Sequence, residues 1–168
     1  MSFVSRLISA AAAALALLAL TACGFTPLYA TPGVTPSMAA IQVNAPKGRT
    51  GFLLAEQLND ALATDRTAAP RYRLDLVIHE HRFNRGLTID NVARRYENHV
   101  LVTYNLIDLV GGKVVKAGSE QIEVTYAASD QPYAGIAAQE DAQERAAADV
   151  AQRIRVDLGA YFAAKSAQ

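Results

Sequence analysis

The sequence predicts an α+β domain of order β-α-β-β-β-α: a small four-stranded sheet with two helices packed on one face. Three observations lead there. Apolar and polar residues alternate in runs near residues 72–79, 97–110 and 113–126, the period of strands with one buried face. Two other stretches repeat their apolar residues at helical spacing. Between the last two alternating runs, Gly111-Gly112 supplies hairpin chemistry.

The first 22 residues stand apart from that domain. Arg6 is the one charged side chain before residues 7–22, sixteen uncharged positions rich in Ala and Leu. A spanning helix needs about 20 apolar residues, so this run fits the apolar core of a signal peptide better than a permanent anchor. It ends in Leu20-Thr21-Ala22-Cys23, which resembles a bacterial lipobox. The resemblance implies cleavage between Ala22 and Cys23 and acylation of Cys23, the single cysteine of the chain. Two or three acyl chains, at ~0.8 kcal/mol per buried methylene, anchor firmly where one is marginal. Gly24 stands where lipoproteins kept at the inner membrane commonly carry Asp, so by analogy the outer membrane is favoured.

Residues 23–37 hold Pro27, Pro32 and Pro36 and read as an extended tether, leaving 38–168 as one domain. Within it, Ile41 and Val43 alternate in a short strand over 38–45, closed by Pro46 and Gly48. Leu54, Leu58, Ala61 and Leu62 mark a helix over 50–64, which Pro70 is expected to end. Tyr72, Leu74, Leu76 and Ile78 form one strand face, and Val100, Val102, Tyr104 and Leu106 another. Ile122, Val124 and Tyr126 share a face in the return strand. A two-residue turn at Gly111-Gly112 would set Val102 against Gln121, mixing the faces. One extra residue is therefore expected, as a bulge at Gly118 or as a three-residue turn with Gly112 at positive φ, pairing Val102 with Ile122 and Val100 with Val124. The last helix runs from about 137 to 165 on Ala147, Val150, Ile154, Leu158 and Tyr161, with Ser129, Asp130 and Pro132 as start signals. The opposite strand faces carry Asp75, His79, Thr103, Asn105, Glu123 and Thr125, so both helices belong on one side.

Charge excludes one class of function. Sixteen Lys and Arg balance sixteen Asp and Glu, without the basic excess of a nucleic-acid binder. One Cys and three His leave no four-ligand Cys/His zinc site, and no pattern calls for a cofactor. His79 and His81 share a strand face and His99 lies in another strand, so a periplasmic lipoprotein enzyme using that face is one alternative. There is no nucleophile elbow and no glycine-rich phosphate loop, so no enzyme is expected. The acids Glu140, Asp141, Glu144 and Asp149 share their helix with Arg145 and Arg153 and read as a solvated face. The charge is uneven locally: seven Arg lie between Arg66 and Arg95, against Asp75, Glu80 and Asp90. Arg82, Arg85, Arg94 and Arg95 fall in or beside one loop, near Phe83 and Tyr96, and form a candidate contact for lipid phosphates or an acidic protein wall.

Cys23-Gly24-Phe25-Thr26-Pro27-Leu28-Tyr29 resembles the mature start of the LptE family of lipopolysaccharide-assembly lipoproteins, particularly its alphaproteobacterial members. Pro132-Tyr133-Ala134, followed by Asp141-Ala142, Arg145-Ala146, Ile154, Leu158 and Tyr161-Phe162, is similar to the family's last helix. The resemblance implies an outer-membrane lipoprotein that plugs the LptD β-barrel translocon, helps it assemble and contacts lipopolysaccharide in transit. It transfers no individual lipopolysaccharide-binding residue. An accessory lipoprotein of an ABC-type lipid transport system is the other alternative.

Overall fold

The computed structural model describes residues 33–87, 93–128 and 131–167, with positions 87, 93, 94 and 132 described by backbone alone. The expected signal peptide, Cys23 and the tether as far as residue 32 lie outside the described residues, as do Ser129 and Asp130. The elements are α1 (Val34–Ala39), β1 (Ile41–Asn44), α2 (Arg49–Leu62), β2 (Tyr72–Leu87), β3 (Ala93–Asp108), β4 (Lys113–Ala127) and α3 (Pro132–Ser166). Among the described residues this is the predicted α+β fold with one helix more.

The additional helix is α1. Residues 34–37, expected to be extended, begin it, because Pro36 falls in the first turn, where an amide hydrogen has no partner within the helix to lose. Gly33, at φ 90, turns the chain into the helix, and its carbonyl accepts the Ser37 N–H at 3.1 Å. Val34 and Met38, four residues apart, are both buried. With Met38 helical, the first strand begins at Ile41 instead of 38.

In α2 the leucines at 54, 58 and 62 are buried at the predicted spacing. Gly48 at its start offers no side-chain cap, a loss of only about a few tenths of a kcal/mol for glycine. Burial of the three leucines, at roughly 1.5–3 kcal/mol each, outweighs that several-fold. The helix closes on Ala63, at φ 51, whose N–H reaches the Asp60 carbonyl, well before Pro70.

The sheet order is β1-β2-β3-β4. β1 runs parallel to β2, with α2 crossing over between them, and β2, β3 and β4 form an antiparallel meander. One face packs on the helices: Tyr72, Leu74 and Leu76 of β2 and Val102, Tyr104 and Leu106 of β3 share a core with Leu58, Ile154 and Leu158. The other face, with Val77, His79, Leu101 and Gln121 exposed, carries no helix among the described residues.

The β3–β4 connection contains the expected irregularity, but not in the expected register. Gly112 is at positive φ, 63°, as anticipated. The loop has four residues, 109–112, because Asp108 closes it at both ends. Its carbonyl accepts the Gly112 N–H at 2.8 Å, and its carboxylate accepts the Val110 N–H at 2.9 Å. The bulge lies opposite Leu106/Ile107, where Lys116 and then Val114 are the partners, so Val115 is the extra residue rather than Gly118. Val100 therefore meets Ile122 and Val102 meets Glu120, two positions from the predicted pairs, while the predicted faces are kept.

Gly118 is small for a different reason. It pairs with Tyr104, and a Cβ there would overlap the Tyr104 ring and hydroxyl. The Tyr104 hydroxyl crosses Gly118 to donate to Asp157 of α3, which also bridges Lys116 at 2.9 Å. Burial raises the Asp157 carboxyl, but the Tyr104 and Lys116 hydrogen bonds outweigh it and hold the group below its ordinary value. Burial and the same carboxylate push the Tyr104 hydroxyl up.

The last helix, α3, begins at Pro132, ahead of the predicted 137, and its 35 residues extend about 50 Å. Its buried stripe is Ala142, Ala146, Val150, Ile154, Leu158 and Phe162, small at the start and large at the end. Tyr161 of the predicted stripe is half-buried, in edge-to-face contact with Phe162 at 5.2 Å.

Candidate functional site

The sheet continues past its apolar core. Up to Ile78 and Val100 the helix-facing positions are hydrophobic; beyond them come Glu80, Arg82 and Asn98 on the same face. Because side chains alternate, this change lines up three polar groups with Tyr96 and Tyr126 under the thin, Ala-rich start of α3.

Glu80 is the hub of that cluster. Its carboxylate accepts from Asn98 Nδ2 at 2.5 Å, from Thr50 Oγ1 of α2 at 2.8 Å and from Gln143 Nε2 of α3 at 3.4 Å. One acid thus ties two helices to two strands. The Arg82 guanidinium lies 5.0 Å over the Tyr96 ring, and the Tyr126 hydroxyl beside it is the main cause that raises the Arg82 pKa. Glu80, Arg82, Asn98, Tyr126, Gln139 and Gln143 line an open cavity of about 410 Å³.

The outer face at the same end is aromatic and ionic. Arg85 grips Glu97 with two hydrogen bonds of 3.0 and 2.9 Å, and His99 Nε2 meets the same carboxylate at 2.5 Å. These contacts, Arg85 first, bring the Glu97 carboxyl down from 4.5 to about 2. Phe83 packs between His81, at 5.1 Å, and His99, at 4.8 Å.

Of the four arginines singled out by sequence, the three with described side chains do not make one cluster. Arg82 points to the helix side; Arg85 and Arg95 are direct cross-strand partners on the outer side. The Arg94 side chain lies outside the described residues. Arg82 and Arg85 belong to β2 and Arg95 to β3, and strand alternation puts Arg82 on the opposite face from the other two. Glu97 neutralises Arg85, whereas Arg95 is exposed and has no ion-pair partner among the described residues. Like charges directly opposite are unfavourable in a sheet unless an anion joins them, so Arg95 is the cation placed to receive one.

His79 and His81 share the outer face as predicted, and His81 sits opposite His99. The carboxylates near the imidazole are Glu97 and Glu123, whose candidate ligand atoms lie with that of His99 within 4.8 Å of one another. The ring, however, presents Nε2 to Glu97 and Nδ1 to Glu123 at 3.6 Å, so its two nitrogens bridge the acids instead of converging with them. Arg85 also occupies both Glu97 oxygens. This is an ionic network in which Arg85 and His99 share the Glu97 carboxylate. Sequence reasoning missed the Glu80 hub. Its signal was present, since Glu80 breaks the apolar series 72, 74, 76, 78 in phase.

Comparison with known proteins places this geometry in context. Residues 38–158 match the profile of the LptE family, described as lipopolysaccharide-assembly. A Caulobacter crescentus protein assigned as a lipoprotein is similar in structure, with 46% identity and a TM-score of 0.70 over 79% of this chain and 97% of that one. Rare lipoprotein B of Shewanella oneidensis shares the fold at 16% identity and TM-score 0.53, over 71% of this chain and 92% of that one. Lipoprotein B of Nitrosomonas europaea does so at 15% and 0.50, over 72% and 84%. A search of curated proteins finds no match.

Proposed function

Because the chain belongs to the LptE family of lipopolysaccharide-assembly lipoproteins, we propose that it is the outer-membrane member of the translocon, seated in the LptD β-barrel. There it plugs the barrel, helps it assemble and assists lipopolysaccharide to the outer leaflet. Acyl chains on Cys23, exposed by cleavage after Ala22, hold it to the membrane. It works by binding and shaping, with no catalytic step and no cofactor. The observation that carries this reading is the family match, which spans β1 through most of α3.

Two features of the domain support it. The uncovered sheet face mixes His79, Thr103, Asn105, Gln121 and Thr125 with a few apolar residues, a composition suited to a wet barrel lumen lined by polar groups. The far end of the sheet offers Arg82, Arg85 and Arg95, with Arg94 beside them in sequence, as contacts for lipid phosphates or an acidic lumen wall.

Depletion in the native host tests the whole reading. Loss of the chain should reduce correctly folded LptD and surface lipopolysaccharide together, and the chain should co-purify with LptD. Normal LptD folding and lipopolysaccharide display after depletion would end it. Replacing Arg82, Arg85, Arg94 and Arg95 together by Gln should weaken LptD or lipopolysaccharide binding; unchanged binding of both removes the arginine assignment.

A further inference from the structure

One end of the molecule gathers the start of β1, the start of β2, the β3–β4 loop and the end of α3. Ile41 pairs with Tyr72, Tyr72 with Asp108 and Asp108 with Lys113. The Lys165 amine of α3 lies 3.4 Å from the Tyr72 hydroxyl. The Ala40 carbonyl, at the end of α1, accepts the Arg71 and Tyr72 amide hydrogens, so the N-terminal helix docks here as well. Cys23 is ten residues before Gly33, a stretch that spans at most about 35 Å.

The loop at this end is apolar where a loop tip is ordinarily polar. Val110 is 84% exposed, Val114 56% and Leu109 39%. Lys113 and Arg71 flank them, and Lys165 stands one pair away. Asp108, the acid of this group, is turned inward: it accepts the Val110 N–H and lies 3.8 Å from Arg71. Lys113 has no ion-pair partner among the described residues. An apolar tip ringed by lysine and arginine suits an anionic phospholipid surface, which takes the valines into its interface and the ammonium groups at its phosphates. No helix among the described residues is long and apolar enough to cross a membrane, so contact through a loop tip would supplement acyl chains rather than replace a span.

We infer that the β3–β4 loop, led by Leu109, Val110 and Val114, is a second membrane contact, which seats the anchored end of the domain on the leaflet that holds its acyl chains. The inference rests on the anchor at Cys23 and not on LptD.

The test uses the acylated chain in vesicles of phosphatidylethanolamine and phosphatidylglycerol. Val110→Cys and, at the far end of the sheet, Asn84→Cys each carry an environment-sensitive fluorophore; the two positions are about 40 Å apart along β2 and β3. Flotation with the vesicles reports the anchor, and quenching by nitroxide lipid reports the tip. Quenching at 110 with none at 84 is the expected result. Flotation without quenching at 110 overturns the inference and leaves the anchor in place, as would follow if residues 24–32 or a barrel partner covered the tip. Failure to float overturns the anchor and the inference with it. In the unacylated Cys23→Ala chain, Val110→Asp should weaken vesicle binding roughly tenfold; unchanged binding overturns the inference, and an unaltered circular dichroism spectrum excludes misfolding as the cause of any loss.

Discussion

Gly118 and Arg85 show how single positions decide between competing forces. At Gly118 the absent Cβ leaves room for the Tyr104 ring to cross the strand to Asp157. Gly118→Ala should therefore displace the tyrosine and cost about 1–3 kcal/mol, measured as a lower urea midpoint. A merely conformational role for the glycine predicts the reverse, since alanine is ordinarily the better residue within a strand. Arg85 yields a prediction with a pH signature. Glu97 is held down to about 2, first by the Arg85 hydrogen bond and then by His99. A depressed folded value means the stabilisation is complete above the ordinary carboxylate range and is lost as pH falls through about 2. Arg85→Gln should thus destabilise the domain at neutral pH, and the difference from wild type should vanish as Glu97 protonates. Thermal unfolding of both chains across acidic pH checks this. A difference that persists at the acid end would trace the effect to packing of the Arg85 side chain on Phe83, 5.6 Å away.

The elements most legible in the sequence are those whose burial is periodic. The central parts of β2, β3 and β4 alternate, and α2 repeats its leucines every four residues, so these were readable from spacing, whereas residues 80–87 and 93–96, expected in or beside a loop, extend the strands. α1 was not readable, because three prolines within 23–37 signal extension, and only the location of Pro36 in a first turn reverses that. Its consequence is measurable. If α1 is part of the core, Val34→Ala should cost roughly 1–3 kcal/mol by chemical denaturation, whereas a side chain on a tether would cost almost nothing. The hairpin was half legible: the need for an irregularity followed from face matching, but its position depended on how Asp108 closes the loop, which no hydrophobic pattern records. The functional end divides the same way. The polar turn of the inner face at Glu80 is visible in phase with Leu74 and Leu76, yet its donors Thr50 and Gln143 come from helices 30 and 63 residues away. The arginines looked like one cluster because proximity in sequence ignores which face each residue takes.

At the scale of the whole molecule, the domain has two chemically distinct ends joined by strands of about 50 Å. The near end carries the N-terminal helix and the apolar loop; the far end carries arginines on both faces of the sheet. The function proposed above uses both ends, one held near the membrane by the acyl chains and the other meeting lipopolysaccharide or LptD. Arg95 separates binding from stability at that far end. It faces Arg85 directly, and Arg85 is already satisfied by Glu97. Arg95→Glu replaces a like-charge pair by an opposite one, which in a sheet is worth about 0.2–1 kcal/mol in favour of the fold. The same change removes the cation best placed to take a phosphate and sets a negative charge in its position. The variant should be at least as stable as wild type by thermal unfolding while binding lipopolysaccharide or LptD less well, with the loss growing smaller at high salt as the repulsion is screened. If binding stays intact in the stable variant, anions are received elsewhere on the domain. If binding and stability fall together, Arg95 serves the sheet and not the ligand.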